Sequence, residues 1–169
     1  MMLAAADLRF TRGAAVVAAC LFALQPSRAS TAESLAGPLE ARVVEVLDGD
    51  SLRVIVHVWL GQHIETLVRI RGIDAPERRG RCVGEVAAAA DATMTLGRLV
   101  GSGPVILHRV AGDKYFGRVL ADVTSDAGVE LAPAMLASGL ARPYDGAAAR
   151  QGWCDKTAQP AETVLGTVR

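Results

Sequence analysis

The 169-residue chain has no excess of either charge: 18 basic side chains stand against 18 acidic ones. That excludes a protein binding nucleic acid through a uniformly basic surface, but not one with a small, locally basic site. Cysteine is scarce. Three residues are too few to frame a disulfide miniprotein, yet enough for one bridge and one odd thiol. Lysine is almost missing, with only Lys114 and Lys156. The densest apolar run, residues 14–24, falls short of the roughly 20 residues that span a bilayer, so no stable membrane span is expected. What is present is a 51% apolar composition, which rules out a disordered chain, and a length that suits one domain.

Part of that apolar content belongs to an address. Arg9 and Arg12 precede Ala14–Leu24, and Ser27-Arg28-Ala29 follows as a small-x-small site. Residues 1–29 therefore read as a secretory signal peptide cut after Ala29, with Ala32 as the second choice. The protein is then expected in the periplasm or secreted. Val17-Ala18-Ala19-Cys20 also resembles a lipoprotein box with Cys20 lipidated, a minor alternative. Removal of residues 1–29 takes away three arginines and one acid and leaves a formal charge of about −2. The remaining cations are almost all arginine, whose planar fork can grip a phosphate with two hydrogen bonds.

Residues 30–40 are small and polar and read as a flexible leader. The β-branched runs Ala41–Leu47 and Leu52–Leu60 bracket an Asp-Gly turn, which is a hairpin signal, and His63–Ile70 adds a third strand. Val83–Val100 has apolar residues at helical spacing, with Val86, Ala89, Ala90, Thr93, Met94 and Leu96-Gly97 as the expected inward stripe. Pro104–Arg109 and Gly117–Thr124 read as strands. Val129–Ser138 reads as a helix that tolerates Pro133 near its start and ends at Gly139. Residues 146–169 show no periodicity and are expected to be loosely structured. Five strands and two helices predict an α+β, mostly β chain: a five-stranded OB-fold barrel with two packed helices.

Charged residues gather at three turns. The first is Asp48-Gly49-Asp50-Ser51. The second is Arg69-Ile70-Arg71-Gly72-Ile73-Asp74-Ala75-Pro76-Glu77, and the third is Asp113-Lys114-Tyr115-Phe116-Gly117-Arg118. Each alone reads as an ordinary turn or solvated loop. Together they supply what metal-assisted phosphodiester hydrolysis needs. Carboxylates and a carbonyl suit a hard cation. Arginines stabilise charge on phosphate oxygens, and a further carboxylate can orient water.

The motifs VLDGDS, VRIRGIDAPE, DKYFGRVLA and ASGLARPY in combination resemble the staphylococcal nuclease (thermonuclease) family over about Ala41–Tyr144. The resemblance implies an OB-fold nuclease domain at 41–145 that uses Ca²⁺. It implies Asp50 and Asp74 as metal carboxylates and Ala75 as a metal ligand through its backbone carbonyl. Glu77 becomes the candidate general base, and Arg69 and Arg118 the phosphate-binding arginines. Asp48 supports the site, and Ser51 keeps the hydroxyl of the family's usual threonine. Tyr115 and Tyr144 are the candidate nucleotide contacts. The usual Asp-Lys-Tyr-Gly-Arg run carries an extra residue, Phe116, so either Tyr115 or Phe116 takes the nucleotide-facing place. No counterpart of the family's long third helix follows Asp145, and the basic tail and lysine-rich surface are missing.

In an oxidising compartment Cys82 and Cys154 are expected to form a bridge that pins the C-terminal segment to the acidic loop; the other reading is two separate thiols. His57, His63 and His108 lack acidic companions and read as surface or barrel residues. The sequence thus predicts an exported, monomeric, Ca²⁺-dependent nuclease acting on DNA and RNA, with single strands favoured. The alternative is a non-catalytic OB-fold module that binds single-stranded nucleic acid or a protein.

Overall fold

The computed structural model describes residues 33–147 and 149–154. The proposed signal peptide, its cleavage sites and Cys20 lie outside the described residues, as do residues 155–169. Among the described residues, eight strands and two helices follow in order. They are β1 (Ser34–Leu35), β2 (Leu39–Asp48), β3 (Ser51–Trp59), β4 (Gln62–Ile70), β5 (Ile73–Asp74), α1 (Val83–Val100), β6 (Val105–Gly112), β7 (Arg118–Ser125), α2 (Leu131–Ala137) and β8 (Arg142–Pro143).

The sheet runs β6-β2-β3-β4-β7 and closes on itself through β6–β7 pairing, giving a five-stranded barrel with β1 added outside β6. All barrel pairs are antiparallel except β4–β7, which is parallel with Arg69 opposite Leu120. Alternation explains the core. Leu52, Val54 and Val56 of β3 and Val68 and Ile70 of β4 are buried, while Arg53 and Arg69 take the opposite face. Leu96, Leu131 and Met135 plug the barrel from the helices. This α+β, mostly β barrel with two helices is the expected OB-fold architecture, and the expected strands and helices lie within a few residues of those observed.

Three features depart from expectation. The residues read as a leader, 30–40, contribute β1 and the start of β2. The buried face of α1 is Glu85, Ala89, Ala92, Leu96 and Val100; it shares Ala89 and Leu96 with the expected stripe but is rotated from it, and Val86 and Met94 are exposed. An alanine-rich helix offers little contrast between faces, so contacts elsewhere decide its rotation. One such contact is Gly49: a Cβ there would lie 2.6 Å from Ala92 Cβ and 2.7 Å from Ala75 Cβ. The Asp48–Ser51 turn, α1 and the start of the 75–77 loop therefore meet over three small residues. Third, β5 and β8 form an extra two-stranded ribbon, in which Asp74 is opposite Arg142. Gly72, at φ 84°, turns the chain out of β4 into that ribbon, a backbone region that other residues rarely adopt.

Candidate active site

The three charged turns converge at one end of the barrel. The β3–β4 register sets Ser51 opposite Arg69. Arg69 Nη1 consequently donates to Asp50 Oδ1 at 2.8 Å, and Nη2 donates to Asp74 Oδ1 at 3.2 Å and to the Ile73 carbonyl at 3.4 Å. Arg69 thus bridges the two acids. Its Nε hydrogen and one on Nη1 are not taken by these contacts, and its side chain is only 11% exposed.

Asp50 is held from several sides. Its Oδ1 accepts from the Ser51 hydroxyl at 2.8 Å and its Oδ2 from the Ala75 amide at 2.9 Å. Asp48 Oδ1 accepts the Asp50 amide at 3.0 Å, so Asp48 shapes the turn beside it. Burial foremost, and then the charge of Asp48, raise the Asp50 pKa, against the opposing pull of Arg69, the Ala75 amide and Ser51.

An open cleft of about 740 Å³ leads to these groups. Its walls include Arg69, Glu77, Tyr115, Arg118, Tyr144 and Arg150. Arg118 is fixed by its Nε donating to Asp113 Oδ2 at 2.5 Å, and its guanidinium lies 4.7 Å from the Tyr115 ring centre. Of these two neighbours Tyr115 lines the cleft wall, while Phe116, the extra residue, projects fully into solvent. Arg71 also borders the cleft but is tied to Asp122 and to the Arg109 carbonyl.

Among the described residues of the segment expected to be loosely structured, 146–147 and 149–153 form no strand or helix, yet the segment reaches the site. Arg150 donates to Asp74 Oδ1, to Glu77 Oε1 and, at 3.3 Å, to the Ala75 carbonyl. Trp153 Nε1 donates to Asp74 Oδ2 at 3.2 Å. Burial works against the Arg150 charge, but the hydrogen bonds and charges of Glu77 and Asp74 outweigh it and hold its pKa above the ordinary arginine value. Cys82 and Cys154 form a disulfide, with Cα atoms 5.9 Å apart. Cys82 also caps α1, accepting the Glu85 amide. Buried Glu85 in turn accepts the Arg81 amide at 2.8 Å and the Glu77 amide at 3.5 Å, which orders the loop carrying Glu77. Cys82, Glu85 and Cys154 cluster within 4.8 Å, but the two sulfurs are bonded to each other and so are not metal thiolates.

A family model described as staphylococcal nuclease homologue matches residues 67–162, more than half of the chain. The chain belongs to this family. No curated protein matches it. In this nuclease homologue the matched span begins inside β4, so Asp48, Asp50 and Ser51 lie before it, and it is the fold that brings them to Arg69 and Ala75. Arg150, Trp153 and Glu85, within the matched span, were not singled out from the sequence. Two signals were there to read. Cys82-x-x-Glu85 has the spacing of a helix-capping box. A bridge from Cys154 back to Cys82 also obliges residues near 150 to lie close to Glu77.

The oxygen set suits a hard cation. Two carboxylates and a peptide carbonyl, those of Asp50, Asp74 and Ala75, are the donor chemistry Ca²⁺ takes, with Glu77 adjacent. The same oxygens of Asp74 and Ala75 accept N–H groups of Arg150.

Proposed function

We propose that this homologue is an exported, Ca²⁺-dependent nuclease that hydrolyses phosphodiester bonds of DNA and RNA with little sequence demand, single strands being favoured. The observation that carries the reading is convergence: Arg69, Glu77, Tyr115 and Arg118 border one cleft, with Asp50 and Asp74 tied to Arg69 at its inner end. Asp50, Asp74 and the Ala75 carbonyl would hold the cation. Bound there, Ca²⁺ supplies positive charge against the phosphate oxygens.

The rest falls to the protein. Glu77 accepts a proton from a water placed in line with the scissile bond, the water oxygen bonds to phosphorus as the P–O ester bond breaks, and the leaving oxygen takes a proton from solvent. Arg118, oriented by Asp113, donates from its terminal nitrogens to the non-bridging oxygens. Arg69 adds its remaining donors and its charge from behind the acids. Tyr115 offers a ring against which a sugar or base can rest, and Tyr144 also borders the cleft. The shortage of lysine fits a substrate gripped by few phosphates rather than along a broad basic track. Among the described residues no helix is long and apolar enough to cross a membrane, and we infer a monomer working outside the cytoplasm. A non-catalytic binding module would have no need to keep three acids and two arginines around one cleft.

Digestion of single-stranded DNA with added Ca²⁺ and with chelator tests this. The wild-type protein should cleave only with Ca²⁺, and Glu77→Ala and Arg118→Ala should each lower the rate by about 100-fold or more. Equal cleavage by all three, or none by the wild type, would overturn the proposal.

A further inference from the structure

Arg150 stands where a cation would need to be. Its guanidinium touches Asp74 Oδ1, the Ala75 carbonyl oxygen and Glu77 Oε1 together. A Ca²⁺ ion takes oxygens at about 2.3–2.6 Å. An ion that close to Asp74 Oδ1 and the Ala75 carbonyl would fall within a few ångströms of the guanidinium carbon, where two positive centres repel strongly in a half-buried site. The two cations therefore exclude each other.

The arginine is also held in place. Four residues on, Cys154 is bridged to Cys82, which itself starts α1. Between them Trp153 stacks on Arg142, with the guanidinium 3.5 Å from the ring centre, and Arg142 Nη1 donates to the Gly152 carbonyl at 2.9 Å. A side chain on so short a tether has a high effective concentration at the acids.

We propose that Arg150 is an internal competitor for the metal: it neutralises Asp74 and Glu77 in the metal-free protein, and Ca²⁺ binds only as the guanidinium withdraws. The proposal rests on the reading of Asp50, Asp74 and Ala75 as the Ca²⁺ site, and it adds a residue that sets the affinity of that site. It accounts for an arginine outside any strand or helix making three contacts to one acidic cluster.

The test is calorimetric titration of Ca²⁺ into the full, oxidised protein, beside Arg150→Ala and Arg150→Gln, with folding checked by circular dichroism. Arg150 is partly exposed, and the Gln variant keeps much of its bulk should Ala not fold. Loss of the charge-assisted contacts should tighten Ca²⁺ binding by about tenfold or more in both variants. If all three proteins bind Ca²⁺ and the variants bind equally or more weakly, the competitor role is overturned while the Ca²⁺ site stands. If none of the three binds Ca²⁺, the metal site falls and the competitor falls with it.

Discussion

Two regions deliver charge to the same few ångströms, and they do so by opposite means. The Asp48–Ser51 turn is held by the hairpin between β2 and β3, by the Asp48 side chain beneath the Asp50 amide, and by the close packing of Gly49 on Ala75 and Ala92. Among the described residues of 146–154 no regular strand pairing is present. Their anchors include the disulfide, the Trp153–Arg142 stack, the Arg142 bond to the Gly152 carbonyl and the side chains of Arg150 and Trp153. The first kind of anchoring is continuous with the barrel and shares its cooperativity. The second is a strap that can open locally while the barrel stays folded, because few buried apolar contacts hold it.

Removing the strap's covalent anchor should have the largest effect on that contrast. The disulfide spans 72 residues of sequence, and in the chain-entropy model a loop of that size is worth about 4 kcal/mol. Cys82→Ser combined with Cys154→Ser should lose about that much in denaturant unfolding and keep the far-ultraviolet spectrum of the barrel. An unchanged midpoint would show that the bridge constrains nothing in the unfolded chain.

Gly49→Val attacks the other anchor. Its Cβ would start under 3 Å from two alanine methyls, so the turn must move off α1, at a cost of about 1–3 kcal/mol for overpacking. The variant should lose cleavage more completely than its stability implies, because Asp50 moves with the turn. Wild-type unfolding and activity would mean that the turn has slack the packing does not suggest.

The last effect concerns Asp50 itself and is read as a slope with pH. Burial raises its pKa from 3.8 to about 7 in the folded protein. A raised pKa contributes stability that is present below 3.8 and lost as pH climbs through 7, since the folded state binds the extra proton. The metal-free wild type should therefore lose melting temperature between pH 4 and 7, and Asp50→Asn should flatten that part of the slope. Parallel profiles for the two proteins would remove burial as the dominant influence on Asp50.

Most of the barrel could be read from the chain because its signals are local. Alternation in Leu52–Val56, the Asp-Gly turn and the unbroken run Val83–Val100 each depend on neighbours a few residues apart. The rotation of α1 could not be read, because alanine on every side leaves the choice of face to Gly49 across the domain. Nor could β5 and β8, which are two residues each and pair across about 70 residues of sequence, after the chain turns at Gly72.

The site divides along the same line. Its chemical inventory lies in three short motifs, so the identities of Asp50, Asp74, Glu77, Arg69 and Arg118 were legible as residue types suited to a cation and a phosphate. Their assembly was not: Ser51 opposite Arg69 is a matter of strand register, and Tyr115 rather than Phe116 in the cleft wall is a matter of how one turn is wound. Arg150 owes its place to the tertiary structure. In sequence it is marked only indirectly, by Cys154 four residues on, and a bridge between cysteines 72 residues apart, with the Trp153–Arg142 stack, holds its charge at the acids. Local sequence determines which groups are available and which backbone they ride on. Which of them meet is decided by long-range closure, here of a barrel and of a disulfide loop.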